Sequence, residues 1–279
     1  MWFGNRCEGK NKLERVRTMK IVFLTQDDPL YIFPFFQQFF SNYGESNEIR
    51  AIFACKTMGE RGKWRLLKEL FHLYGVVGMV KLLFRLVTSK LLGLIPRSRH
   101  ASKFHTIAQL ARAHDVSYFH VANPNRAEIR SQISGFAPDL IVSIACPYIL
   151  KQDLLRIPPL GCINMHHAPL PRYKGMMPTF WQMYHGERNV AVSIHYMNAK
   201  IDEGAILLQE QLPIEAGESL DHLIRRSKRH GAHCLSKVLH EIESESQKMI
   251  TVDHSATSYF TFPTPGEMKE FRRRGFRAI

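Results

Sequence analysis

Apolar positions along the chain fall into two rhythms, short runs and alternations of strand type, and longer stretches repeating every three or four residues. Lys20 to Thr25, Glu48 to Lys56, Val116 to Val121 and Asp139 to Ala145 read as strands, the last an almost unbroken Leu-Ile-Val run. Between them Ile32 to Asn42, Thr106 to His114 and Arg126 to Phe136 carry helical spacing. Strands that alternate with helices and are apolar on both faces predict an α/β fold, an open, mostly parallel twisted sheet with helices on both faces. Further on, Cys162 to His166, Val190 to Tyr196 and Ala205 to Gln209 are short strand patterns. Gly217-Glu218-Ser219 then opens a long helix with Leu220, Leu223, Leu235, Val238 and Ile242 on its apolar stripe. Its other face, Arg225, Arg226, Lys228 and Arg229, reads as exposed.

One segment breaks the rhythm. Trp64, Leu67, Phe71, Tyr74, Val80, Leu83, Phe84 and Val87 recur at helical spacing, which predicts two amphipathic helices broken near Gly75 and Gly78, in a basic helical insertion over about 61–105. Between Arg61 and Lys103 ten Lys and Arg face Glu69 alone, so much of the net charge of +13 is local. That concentration argues against nucleic acid as the partner. The expected arrangement is an excursion packed on the sheet with its basic face solvated; a lid, or peripheral membrane contact through 61–103, is the functional alternative.

The rest of the composition sets bounds. Five cysteines (Cys7, Cys55, Cys146, Cys162, Cys234), odd in number and without a C-x-x-C pair, are expected to be reduced thiols. No apolar run reads as long enough to span a bilayer, and Met1 to Arg17 lacks the apolar core of a secretory signal, so a cytoplasmic location is expected. Residues 1–18, ahead of the first strand, are expected to form a disordered extension. The catalytic domain is expected over 19–250 and a C-terminal tail over 251–279.

Candidate chemistry concentrates between Gly161 and Gln209. Asn164 and His166 share one face of the strand Cys162 to His166, which runs into the proline-rich loop Ala168-Pro169-Leu170-Pro171-Arg172-Tyr173-Lys174-Gly175. A cis Leu170–Pro171 bond is plausible in such a loop. Asp202 lies in the polar turn Asn198 to Gly204 between two strands. An imidazole, a carboxamide and a carboxylate suit acyl transfer to an amine: the first moves protons, the second donates to an oxyanion, the third holds the imidazole. Neither G-x-G-x-x-G nor G-x-x-x-x-G-K-[ST] occurs. His167, His185 and His195 make no H-E-x-x-H, and no metal is expected.

Asn164-Met165-His166, the loop Ala168 to Gly175, Pro178-Thr179-Phe180-Trp181 and Ile201-Asp202-Glu203-Gly204, in this order, resemble the signature of the formyltransferases that use 10-formyltetrahydrofolate. The resemblance covers roughly residues 20 to 247 and is densest between 138 and 215. It implies a Rossmann-like formyltransferase core, N10-formyltetrahydrofolate as formyl donor, a primary amine as acceptor, and Asn164, His166 and Asp202 as the catalytic set. It also implies that the donor meets Cys146, Tyr148, Ile149 and Leu150 after the Asp139 strand, and Asn198, Ala199 and Ile201. Acceptor contacts are implied for Gln26, Asp27, Asp28, Arg172, Tyr173 and Lys174; for the two aspartates a helix-capping turn is the competing reading. The chain departs from the family pattern in having Ala168 where relatives carry Ser, and Ala205 where they often carry Asp. An amino-sugar nucleotide or similar small, anionic amine is the favoured acceptor. Hydrolysis of the donor, formylation of methionyl-tRNA and folate binding without turnover are the alternatives.

Overall fold

The computed structural model describes residues 18–43, 48–56, 62–101, 103–198 and 202–279. The elements are β1 (Lys20–Gln26), α1 (Phe33–Tyr43), β2 (Glu48–Cys55), α2 (Lys63–Gly93), α3 (Ile107–Ala113), β3 (Ser117–Val121), α4 (Ala127–Gly135), β4 (Leu140–Ile144), α5 (Gln152–Leu155), β5 (Cys162–His166), β6 (Lys174–Gly175), α6 (Pro178–Tyr184), β7 (Asn189–Tyr196), β8 (Ile206–Pro213), α7 (Leu220–Glu243), β9 (Tyr259–Phe260) and α8 (Pro265–Arg273). Seven strands form one sheet in the order β3-β2-β1-β4-β5-β7-β8. The first five are parallel, and β7 and β8 add an antiparallel hairpin beside β5. The chain leaves β1 toward β2 on one side and returns to β4 on the other. Loops therefore diverge above the carboxyl ends of β1 and β4, where open α/β sheets hold ligands.

The period of two sorts β1 between two cores. Ile21 and Phe23 join one apolar cluster with α1 and α7, while Val22 and Leu24 join the opposite cluster with Phe53, Ile141 and Leu154. The Phe23 ring meets Phe36 and Phe39 of α1 edge-on at 5.3 Å each. Helix α7 begins where Ser219 accepts from the His222 amide, and it lays Leu235, Val238 and Leu239 on the sheet. At Gly231 it comes so near β5 that an added Cβ would lie 2.5 Å from Met165 Sδ. That contact sets the back wall of the candidate site.

Two expectations are corrected. Residues 251–279 are part of the body, because β9 pairs with β6, and Phe262, Met268 and Phe271 are buried. Helix α8 opens with Pro265 and a Thr264–Glu267 capping box, and Phe271 stacks on Phe180 at 4.8 Å.

The basic insertion breaks where expected but differs in exposure: α2 is two helices meeting at Gly75, where φ is 66° and ψ −176°, while Gly78 is helical and pressed on Tyr74. Leu73, Tyr74 and Leu82 are buried, yet Trp64, Leu67, Phe71, Val80, Leu83, Phe84 and Val87 are exposed. Trp64–Gly93 is long and apolar enough to cross a membrane, and only 22% of its most apolar window is buried, against the expectation that no run reaches that length.

Candidate active site

Pairing of β5 with β7 puts Asn164 opposite His195. Asn164 Nδ2 lies 3.2 Å from His195 Nε2, and His195 Nδ1–H donates to the Tyr196 carbonyl at 2.8 Å. With that proton on Nδ1, Nε2 accepts one amide hydrogen of Asn164, which fixes the rotation of the carboxamide and leaves its second N–H to point elsewhere. His195 is thus a positioning residue. In the sequence His195 is weighed only as a metal ligand, although its alternating place on β7 carries the signal for this role.

His166 closes β5 and is buried. Its Nε2–H donates to the Tyr173 carbonyl at 2.9 Å, so Nδ1 holds the lone pair of the neutral ring and faces Asp202 Oδ2 at 3.7 Å. The three side chains expected to converge do so: Asn164 and Asp202 both reach His195, whose Nε2 is 3.6 Å from Asp202 Oδ1, and His166 completes the group. Asp202 sits at φ 51°, a left-handed conformation that an aspartate tolerates. Its Oδ2 accepts from the Gly175 amide at 3.2 Å. Two residues on, Gly204 has its backbone against the Tyr196 carbonyl, where an added Cβ would lie 1.6 Å from the oxygen. Only glycine lets this turn bend back over β7 and aim the carboxylate inward.

Burial pushes the His166 imidazole down from its ordinary value, and Asp202 and the Tyr173 carbonyl offset this only in part. The ring is neutral at pH 7. Burial would raise the Asp202 carboxyl, but a proton on His166 or His195 facing it, and the Gly175 amide, hold it well below the carboxylate range. With His166 neutral, the Gly175 amide still favours the ionised form, and a proton arriving on His166 Nδ1 strengthens the pair.

Lys228, expected on the exposed face of α7, is buried instead. Burial pushes its ammonium down to about 7 against the opposing charge of Asp28, and its field lowers His166 and His167. Neighbouring Arg225 and Arg226 are engaged with Asp221 and Glu218. Behind the site, His167 is buried with both ring nitrogens lacking partners.

The loop residues divide. Asp28 is buried and accepts from the Leu30 and Tyr31 amides at 2.8 and 3.1 Å, so for it the capping turn holds and the acceptor reading is corrected. Gln26 ends β1, and Asp27 accepts from Tyr118 Oη at 3.3 Å with His120 at 3.9 Å. Asp27 lines a cleft of about 430 Å³ with Lys56, Lys90 and His120, on the same edge of the sheet as His166. Lys174 is buried and bonded to Glu203 at 2.9 Å, tying the proline-rich loop to the Asp202 turn; an acceptor role for its ammonium is corrected. The Tyr173 hydroxyl and Arg172 both donate to Glu187, and what Tyr173 gives the site is its carbonyl. The Leu170–Pro171 peptide is cis.

After β4, Ala145 turns left-handed at φ 52°, and Cys146 sets its thiol against Cys55. Ile149 is exposed while Leu150 is core. Asn125 braces this loop, donating to the Ile149 carbonyl at 2.9 Å and accepting from the Lys151 amide at 2.8 Å. Within this loop Pro147 has no N–H and the Tyr148 backbone is hydrogen-bonded to the Cys146 thiol. Tyr148 is half-buried beside it, and Asn198 is exposed at the far side; Ala199 and Ile201 lie outside the described residues. Among those residues two acidic clusters, Glu210-His230-Cys234 and Glu215-Glu218-His222, have metal-ligand spacing, and both are outside the site.

An open α/β sheet that holds a carboxamide and an imidazole on its fifth strand and a carboxylate on the β7–β8 turn brings together groups that suit acyl transfer without a covalent nucleophile. The sequence pattern of the formyl transferase family matches residues 93–239. The chain belongs to that family. Methionyl-tRNA formyltransferase of Syntrophus aciditrophicus is 40% identical over 139 residues, 50% of this chain and 44% of that one. Glycinamide ribonucleotide transformylase 1 from Symbiobacterium toebii has the same fold, with a TM-score of 0.56 at 15% identity over 85% of this chain and 95% of that one. A sugar N-formyltransferase from Shewanella sp FDAARGOS_354 superposes with a TM-score of 0.54 at 16% identity, over 87% of this chain and 76% of that one. The chain spans about half the length, or less, of the curated relatives it matches.

Proposed function

We propose that the protein transfers the formyl group of 10-formyltetrahydrofolate to the primary amine of a small anionic acceptor, an amino-sugar nucleotide being the favoured case. The observation that carries this reading is the convergence of Asn164, His166 and Asp202, with His195 fixing the amide. The free N–H of Asn164 donates to the formyl oxygen as it gains charge. His166 Nδ1, unprotonated at pH 7, takes the proton that the attacking amine must lose and returns it to the departing nitrogen. Asp202 stabilises the imidazolium between those two events, and the contact from Nδ1 shortens from 3.7 Å toward a hydrogen bond. Pterin recognition falls to the loop 146–150 after β4, and the cleft lined by Asp27, Lys56, Lys90 and His120 offers a carboxylate for an amine beside cations for a phosphate.

Methionyl-tRNA is the second reading, favoured by the curated relatives. Incubation with 10-formyltetrahydrofolate and, in separate arms, amino-sugar nucleotides, glycinamide ribonucleotide, methionyl-tRNA or water alone tests both. Tetrahydrofolate release that depends on an amino-sugar nucleotide supports the proposal. Release only with methionyl-tRNA selects the second reading, and release with no acceptor makes the protein a hydrolase.

A further inference from the structure

Helix α2 has two apolar faces, and the body of the protein covers one of them. Leu73, Tyr74 and Leu82 face inward, and Arg85 reaches down to the buried Asp221 at 2.9 Å. On the outer side Val76, Val80, Leu83, Phe84, Val87 and Leu91 are each between 46% and 69% exposed. At about 100° per residue they fall within one arc of roughly 120°, and from Val76 to Leu91 they make a stripe about 22 Å long. Ahead of the break at Gly75, Trp64, Leu67 and Phe71 are exposed as well, Trp64 at 84%. A monomer in water rarely leaves so long an apolar ridge uncovered.

Charge decides what covers it. Lys81 and Lys90 stand on the two borders of the arc, and over residues 62–103 nine Lys and Arg accompany Glu69 alone. A second copy of this helix would bring like charge against like charge. An anionic bilayer offers what both features require, acyl chains for the stripe and phosphates for its basic margins. We infer that α2 is an interfacial membrane helix, docking the protein on an anionic phospholipid surface with the Val76–Leu91 stripe in the headgroup and acyl boundary.

The helix lies on the membrane and does not span it. To cross, α2 would have to pull Leu73, Tyr74 and Leu82 from the core and Arg85 from Asp221, and its straight portion after Gly75 carries Lys81, Arg85 and Lys90. Lys90 borders the stripe and also lines the cleft with Asp27, Lys56 and His120, so docking brings that cleft to the level of the headgroups.

Co-sedimentation of the full chain with phosphatidylcholine vesicles, with and without phosphatidylglycerol, tests this independently of catalysis. Binding is expected on the mixed vesicles and far weaker on phosphatidylcholine alone. The double variant Val80→Glu, Phe84→Glu, at positions that touch no core, is expected to bind about tenfold more weakly or worse with an unchanged melting temperature. Lys81→Glu with Arg99→Glu is expected to lose the preference for anionic lipid. Protein that stays in the supernatant with phosphatidylglycerol vesicles overturns the inference. So does undiminished binding by the Val80→Glu, Phe84→Glu variant, or a dimer in solution that this variant dissociates while vesicles do not compete with it.

Discussion

The Nε2–H of His166 is committed to the Tyr173 carbonyl, and this one bond determines which atom does acid–base work. The working lone pair is on Nδ1, and burial, with smaller contributions from His195 and Lys228, keeps it unprotonated. The activity should therefore fall as pH drops through the depressed pKa of His166, below 6.5, since the neutral ring is the base. In Asp202→Asn the countercharge is gone and the acid limb should move to still lower pH, with turnover reduced at every pH; a pH profile of kcat/KM reads both. A limb that moves upward would contradict the assignment. Lys228 makes a separate claim. Its folded value of about 7 lies below the ordinary 10.5, so between those values the unfolded chain binds one proton more. Stability should rise with pH over that window by up to about 1.4 kcal/mol per unit, and below pH 7 the full cost of burying the charge is present. Denaturant melts of wild type and Lys228→Met from pH 7 to 10 should differ by this slope, and parallel profiles would remove Lys228 from the buried charge balance.

At the level of elements, what the sequence disclosed was decided by how local its causes are. Strands β1, β4 and β5 were legible because their apolar runs and alternation are local. Asn164 and His166 were placed correctly because a period of two on a five-residue strand leaves no freedom. Helix α2 was misjudged because periodicity identifies an apolar face but does not say whether the protein covers it. Lys228 was misjudged for the converse reason: at i, i+3 and i+4 spacing a lysine reads as solvated, and only the approach of α7 to β5 at Gly231 buries it. The segment after residue 251 was read as a tail because two-residue strands such as β9 leave almost no pattern. Two element contacts can be tested. Gly204→Ala places a methyl group inside the Tyr196 carbonyl's radius, so the Asp202 turn must move; a loss of several kcal/mol in urea unfolding and of most turnover is expected. Asp221 accepts from Arg85, Arg225 and Tyr31 with its carboxylate 3% exposed. Asp221→Ala leaves those donors unanswered and should cost about 3 kcal/mol, chiefly by loosening α2; an unchanged melting temperature would contradict that.

Across the whole molecule, the parts serve one edge of the sheet. The crossover between β1 and β4 opens the cleft, β5 and β7 set the amide and imidazole, and the β6–β9 pair holds the loop whose carbonyl orients His166 and whose Gly175 amide holds Asp202. Helix α7 closes the rear, and residues 251–279 brace α6 and the proline-rich loop. The most direct measurement is tetrahydrofolate release from 10-formyltetrahydrofolate, with the acceptor that supports it, by wild type, His166→Asn and Asp202→Asn, beside folate binding by each. Turnover is predicted to fall by about a hundredfold or more in both variants, with melting temperature and folate binding nearly unchanged. Wild-type turnover in either variant would contradict the account.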